Sequence, residues 1–229
     1  KIYLPTHGEY CESRWFASGS DLLHSPEIFY AGFECIISPN QLFEIDNATF
    51  AVTIGESSDC PIPPSSYHAT AGAHIIINLS AGNETVMSEI RRERFISEQS
   101  ARTISAYIHA SASGDSSQDL VFTGSTAIWE NGARIDCEGD QSMSIADIDI
   151  EKLDTLRRKS TTFASISPDG IPSSSYNPLY YQVYLGESRK TDYRSSLYRN
   201  LEKHPFAPEA DLENRCSKIL DLQVKALAR

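Results

Sequence analysis

Two unbroken apolar runs, ATFAVTI (48–54) and HIIINLS (74–80), constrain what this chain can fold into more than any other feature. Neither alternates polar with apolar residues, so neither suits a strand with one face in water. Each predicts a strand covered on both faces, central in an α/β sheet. Further β-branched or aromatic runs occur at QLFEI (41–45), AYIHAS (106–111), DLVFTGSTAIW (119–129) and MSIADIDI (143–150). Asn131-Gly132 in ENGARI is a hairpin signal, because both residue types accept the positive φ of a type I′ turn. Helices are expected from Glu84 to about Thr103, with Ser80 or Asn83 as the capping side chain, and over IEKLDTLRRKS (150–160). Alternating strands and helices that give way to hairpins predict α/β layers around a sheet with antiparallel parts.

Charge narrows the partners. Twenty basic residues face 31 acidic ones, a net −11 over 229 residues, whereas nucleic-acid binding needs a basic surface. No run approaches the ~18–20 apolar residues of a membrane span, and no basic-then-apolar leader opens the chain. Five scattered cysteines (11, 35, 60, 137, 216) lack metal-ligand spacing. They predict a reduced, cytoplasmic setting and no metal site. Asn78 stands in a glycosylation sequon, but inside an apolar strand, which marks the match as chance.

From 165 to 204 the composition shifts to Ser, Pro, Tyr and charge, a linker or extended arm. The last segment, DLENRCSKILDLQVKALAR, is amphipathic, with Leu212, Cys216, Ile219, Leu220 and Leu227 on one helical face. It ends without a glycine cap or proline stop, and the chain opens on Lys1. The expected organisation is a domain over 1–164, a linker over 165–204 and the start of another domain over 205–229, all cut from a longer polypeptide.

Chemistry could gather where strands end. ATFAVTI stops on Gly55-Glu56, HIIINLS runs into the polar turn Ser80-Ala81-Gly82-Asn83, and Lys1 opens the strand-like KIYLP. Polar turns at the same ends of neighbouring strands are where α/β sites form. On the residues alone, Lys1 reads first as a solvated edge charge and Gly55-Glu56 first as an ordinary turn. Ser57, Ser58 and Cys60 are the nearby hydroxyls and thiol that could act as nucleophiles, although neither serine has a flanking histidine to activate it.

Taken in order, KIYLPTHGEYCESRWF, PIPPSSYHATAGAHIIINLSAGNETV, SEQSARTISAYIHASA, DLVFTGSTAIWENG and ADIDIEKLDTLRRKSTTF resemble the glutaminase domains of glutamine-dependent NAD synthetases, within the nitrilase (carbon–nitrogen hydrolase) superfamily. HPFAPEADLENRCSKILDLQVKALAR resembles the junction into the synthetase domain, so the resemblance covers nearly all of the chain outside 165–200. It implies a four-layer α-β-β-α sandwich whose N-terminal part is missing, with a C-terminal arm and helix. It also implies a Glu–Lys–Cys triad: a glutamate base, a lysine that stabilises the oxyanion, and a cysteine thiolate that attacks the glutamine amide.

Carried over by position, the lysine falls on Lys1, first residue of K-x-x-L-P, and the cysteine's place falls on Gly55. Glu56 matches the glutamate that follows the cysteine, while the general-base glutamate would lie upstream of Lys1. His7 stands at a position near the glutamine pocket that is often tyrosine, and Gly82 stands where LSAS would supply a pocket serine. The family's Cys-Glu-Asp-Leu-Trp run is here GESSD. The departures cluster at the site, and a domain without a nucleophile is expected to be inactive, or to serve as a scaffold or oligomerisation module. ATP, magnesium and deamido-NAD are implied only for the full-length enzyme, whose phosphate-binding Ser-Gly-Gly-x-Asp-Ser loop would follow Arg229. The implied partners are glutamine, the synthetase domain of the same polypeptide and further copies of the chain.

Overall fold

The computed structural model describes residues 1–7, 10–22, 26–55, 57, 60–113, 120–136, 143–166, 180–187, 197–199, 201 and 211–228. In chain order its strands are β1 (Thr6–His7), β2 (Tyr10–Cys11), β3 (Glu27–Tyr30), β4 (Phe33–Ile36), β5 (Gln41–Ile45), β6 (Ala48–Ile54), β7 (Ile75–Ser80), β8 (Ala106–Ser111), β9 (Thr126–Glu130), β10 (Ala133–Arg134) and β11 (Tyr181–Tyr184). Its α-helices are α1 (Pro64–Thr70), α2 (Ser88–Thr103), α3 (Ile150–Lys159), α4 (Thr161–Ala164) and α5 (Leu212–Leu227). Contacts divide the chain into two units, 1–198 and 199–229. In the second, α5 is a 16-residue helix with no buried residue.

A seven-stranded sheet in the order β10-β9-β8-β7-β6-β5-β11 carries the first unit. β6, β7 and β8 run parallel in the middle, and β5 and β9 flank them antiparallel. The two apolar runs are thus the neighbouring central strands that their composition predicts. The hairpin from β9 to β10 turns on Asn131 (φ 47°) and Gly132 (φ 87°), both left-handed. Tyr181–Tyr184, inside the stretch expected to be an arm, pairs parallel with β5 as an edge strand of the sheet.

Cover is one-sided. Ala51, Thr53, Ile76 and Asn78 are buried, on the face against which α1 and α2 pack. Phe50, Val52, Ile75 and Ile77 on the other face are only half-buried, and Ile54 and Leu79 are about half exposed. The expectation of cover on both faces is therefore met on one face among the described residues. Besides this seven-stranded sheet the described residues form only two short hairpins, β1–β2 and β3–β4.

Three local expectations are corrected. Residues 143–149 form no strand: the Glu130 carboxylate takes the Asp149 N–H at 3.0 Å and the Asp149 side chain caps α3 by accepting the Lys152 N–H at 2.9 Å. The Asp149 N–H thus goes to a side chain instead of a ladder. α2 starts at Ser88, four residues after Glu84, and Asn83 caps nothing there, since its Oδ1 accepts from the Val121 N–H. α1 occupies what reads as a proline-rich loop, because Pro64 takes the first helical position, where a missing N–H costs no hydrogen bond.

Candidate active site

Parallel strands β6 and β7 deliver their carboxyl ends to the same edge of the sheet, where ligand crevices of open α/β sheets form. β6 ends on Gly55, whose φ of +77° turns the chain sharply. Its N–H donates to the Leu79 carbonyl at 2.7 Å, which ties the turn to the neighbouring strand. β7 continues into Ser80–Asn83, where the Gly82 N–H donates to the Ser80 hydroxyl at 3.2 Å.

Lys1 reaches this edge through a folded-back N-terminal loop. Its carbonyl accepts from the Gly19 N–H at 2.8 Å, and a Cβ at Gly19 would stand 3.0 Å from that oxygen, so the close approach suits a glycine. The Ser18 hydroxyl donates to the Ile2 carbonyl. The β1–β2 hairpin then returns the chain so that Glu12, on the following 3-10 turn, forms an ion pair with the Lys1 ammonium. Both side chains are largely buried, at 17 % and 13 % exposure, where screening is weak.

A Cβ built on residue 55 would fall 2.5 Å from both Cε and Nζ of Lys1. Lys1 and Gly55 are therefore brought together, with the lysine's cationic end occupying the space of a side chain at 55. Lys1, Glu12, Ile54, Gly55, Leu79 and Gly82 share the lining of a cavity of about 260 Å³. Glu56 and Ser58 lie outside the described residues, as does the side chain of His7, whose backbone belongs to β1.

Of the alternative nucleophiles, Cys60 stands apart from Lys1 and Ser57 does not. Cys60 Sγ lies 3.0 Å from the carbonyl oxygens of Ser57 and Ile62, within its own loop, and Cys60 is not among the residues lining the Lys1–Glu12 cavity. Ser57 is buried and shares a second cavity with Lys1 and with His68, which the sequence does not place beside it. That histidine's Nδ1 is taken by the Tyr180 hydroxyl at 3.0 Å. Burial pushes His68 down to about 4, which makes it a weak base. Among the described residues no group of three or more His, Cys, Asp and Glu side chains could hold a metal ion, and no helix is long and apolar enough to cross a membrane.

Sequence reasoning misses Glu12, although it lies within the KIYLPTHGEYCESRWF stretch, because its spacing from Lys1 has meaning only once the hairpin is folded. It also misses a buried polar row beneath the turn, Thr53, Asn78 and His109, which are direct partners across β6, β7 and β8. Asn78 donates from Nδ2 to Thr53 Oγ1 at 3.0 Å and to the Gly55 carbonyl at 3.2 Å, and its Oδ1 meets His109 Nδ1 at 3.0 Å. Burial, and secondarily the Arg92 guanidinium, pushes His109 down to about 4.

Known proteins share both sequence and fold with this chain, although no family model matches it. Over 246 aligned residues, 99% of this chain, it is 30% identical to the glutamine-dependent NAD(+) synthetases of Mycobacterium tuberculosis and Mycobacterium leprae. It spans about a third of their length, 34% in each case. A carbon–nitrogen hydrolase from Helicobacter pylori superposes with a TM-score of 0.52 at 19% identity, over 69% of this chain and 53% of that one, which establishes the common fold. The chain thus has the fold of a carbon–nitrogen hydrolase, and its sequence is similar to about a third of the length of glutamine-dependent NAD(+) synthetases.

Proposed function

We propose that this chain is the glutamine-amidohydrolase part of a glutamine-dependent NAD synthetase, with the place of its nucleophile held by Gly55, and that as written it does not hydrolyse glutamine. One observation carries the reading: the Lys1 ammonium, paired to Glu12, lies against position 55 at the end of a central strand. A thiolate there would attack the amide carbon of glutamine beside a cation able to stabilise the oxyanion. Ammonia would then leave with a proton relayed by a glutamate base, and water would hydrolyse the thioester to glutamate. Gly55 has no atom that can attack.

The ammonia would amidate deamido-NAD in the synthetase domain of the same polypeptide, with ATP and magnesium bound there. No Ser-Gly-Gly-x-Asp-Ser loop occurs in these 229 residues. A cytoplasmic homo-oligomer is the setting that this reading implies. The second reading is a non-catalytic nitrilase-fold domain that serves as a scaffold or oligomerisation module, and the loss of the nucleophile favours it. Ammonia release from glutamine separates the two, measured for the chain as written, for Gly55→Cys, for the chain extended by an upstream segment carrying the base glutamate, and for both changes together. Activity in the last alone supports the first reading, and silence in all four supports the scaffold. Turnover by the unmodified chain overturns the assignment of position 55, and labelling by an electrophilic glutamine analogue would then identify Cys60 or another group.

A further inference from the structure

We propose that Asn78 and His109 are positioning residues that hold the turn at position 55 in its left-handed conformation. Thr53, Asn78 and His109 are direct cross-strand partners at the centre of the sheet, and all three are 5 % exposed or less. Three polar side chains in the middle of an apolar sheet are costly to bury unless each is satisfied, and an aliphatic row would fill the same space without that cost. What the polar row adds is hydrogen bonds to backbone carbonyls: Thr53 Oγ1 donates to Ile77 within β7 at 3.4 Å, and Asn78 Nδ2 donates to Gly55 at the turn at 3.2 Å.

Donor and acceptor roles fix the order. A carbonyl can only accept, so the atom of Asn78 that faces Gly55 is its NH2 group. The amide oxygen must then face β8, where it meets His109 Nδ1 at 3.0 Å. That oxygen can only accept, so Nδ1 carries the imidazole proton. His109 Nε2 is left as a buried lone pair, and it has no hydrogen-bond partner among the described residues. Burial keeps the ring neutral, as this arrangement needs. With Gly55 N–H on the Leu79 carbonyl and Gly55 C=O on Asn78, both polar groups of the turn residue are clamped by β7. A left-handed residue persists where its surroundings over-determine it. In a relative with a side chain at this position, the same clamp would set the direction in which that side chain projects.

The proposal's bearing on catalysis rests on position 55 being the nucleophile's place, but its test reads geometry and not turnover, so either can fail alone. In the ¹⁵N-labelled 229-residue chain, long-range proton–nitrogen correlation should show His109 protonated on Nδ1, and protonation on Nε2 would overturn the proposal. Amide exchange at Gly55, taken relative to Ile76 on the same sheet, should quicken about tenfold in Asn78→Leu and in His109→Leu. His109→Gln keeps an N–H donor toward Asn78 and should return Gly55 to within about twofold of the parent. Equal effects of the leucine and glutamine replacements, or an unchanged Gly55-to-Ile76 ratio in Asn78→Leu, would overturn it. Where a leucine variant does not fold, the tautomer in the parent chain and the His109→Gln ratio still decide.

Discussion

The Nζ of Lys1 lies 2.5 Å from the point that a Cβ on residue 55 would occupy. No cysteine side chain could coexist with the lysine in this position, so the absence of a side chain at 55 and the placement of Lys1 belong together. The atoms in conflict are the far end of a flexible side chain, which can withdraw. Glu12 restrains that withdrawal, because the ammonium is ion-paired with it. The site is thus an anchored lysine filling the place of the group beside which it would act.

Gly55→Cys should destabilise the chain through two separable effects. A left-handed backbone costs a non-glycine residue about 1–2 kcal/mol, and displacing Lys1 adds to this. Gly32, at φ +90° with nothing within 4 Å of an added Cβ, isolates the backbone effect. Urea unfolding should rank Gly55→Cys below Gly32→Ala in stability, and Lys1→Ala, which also breaks the pair with Glu12, should cost less in the Gly55→Cys background than in the parent. An equal cost of Lys1→Ala in both backgrounds would show that crowding at the site is not as described.

Removing the charge of Glu12 should loosen Lys1. The pair is neither fully exposed nor fully buried, so its coupling should fall between the two regimes, at about 1–2 kcal/mol. A double-mutant cycle of Glu12→Gln and Lys1→Met, read by urea denaturation, measures it without the costs peculiar to each replacement. Coupling near zero would mean that Lys1 holds its place through backbone contacts such as Gly19 N–H to Lys1 O alone.

Much of the scaffold is legible in the sequence, and the reasons are local. β5 to β8 follow from apolar runs, the β9–β10 hairpin from Asn131-Gly132, and α2 and α3 from helical periodicity. α1 was hidden because Pro63-Pro64 reads as a loop until Pro64 is placed at a helix start. The β3–β4 hairpin lacked a turn signature: Ala31 takes the left-handed position (φ 51°) ahead of Gly32. At the site, Lys1, Gly55 and Gly82 could be named from the resemblance, and the structure brings them to one cavity. Glu12, Asn78 and His109 could not, since a hairpin return and a cross-strand register are tertiary facts that linear spacing does not encode.

Acid should destabilise the domain between pH 6.5 and 4. His68 and His109 are pushed down to about 4 when folded, from an ordinary 6.5, chiefly by burial. Between those values the unfolded chain binds protons that the folded chain refuses, so stability rises with pH across this window and is level above it. Each histidine contributes roughly 3 kcal/mol once the pH is below both values. Urea midpoints at pH 7 and pH 5 should therefore differ, and His109→Gln should remove about half of the histidine-linked difference. An identical pH dependence in parent and variant would show that His109 titrates as an ordinary exposed histidine.

Arg157 should be among the most sensitive single positions. It is 8 % exposed, and its guanidinium donates from Nε to the Ile104 carbonyl at 2.9 Å and from Nη2 to those of Ala73 at 2.6 Å and Thr103 at 3.3 Å. Those carbonyls immediately precede β7 and β8, so one side chain of α3 closes the amino ends of two central strands. The guanidinium carbon also lies over the Phe163 ring, 4.9 Å from its centroid. Arg157→Met keeps much of the volume but leaves buried carbonyls without donors, at a cost of about 3–5 kcal/mol. Arg157→Lys retains the charge but not the planar fork that spans separate carbonyls, and should lose more than half as much. Urea midpoints give the magnitudes, and amide exchange gives the location: Ala106 N–H, bonded to the His74 carbonyl at the start of β8, should lose protection before Ile77 does. If Arg157→Lys matched the parent in both measurements, a single point charge would suffice there, and the fork would have no part in closing the strand ends.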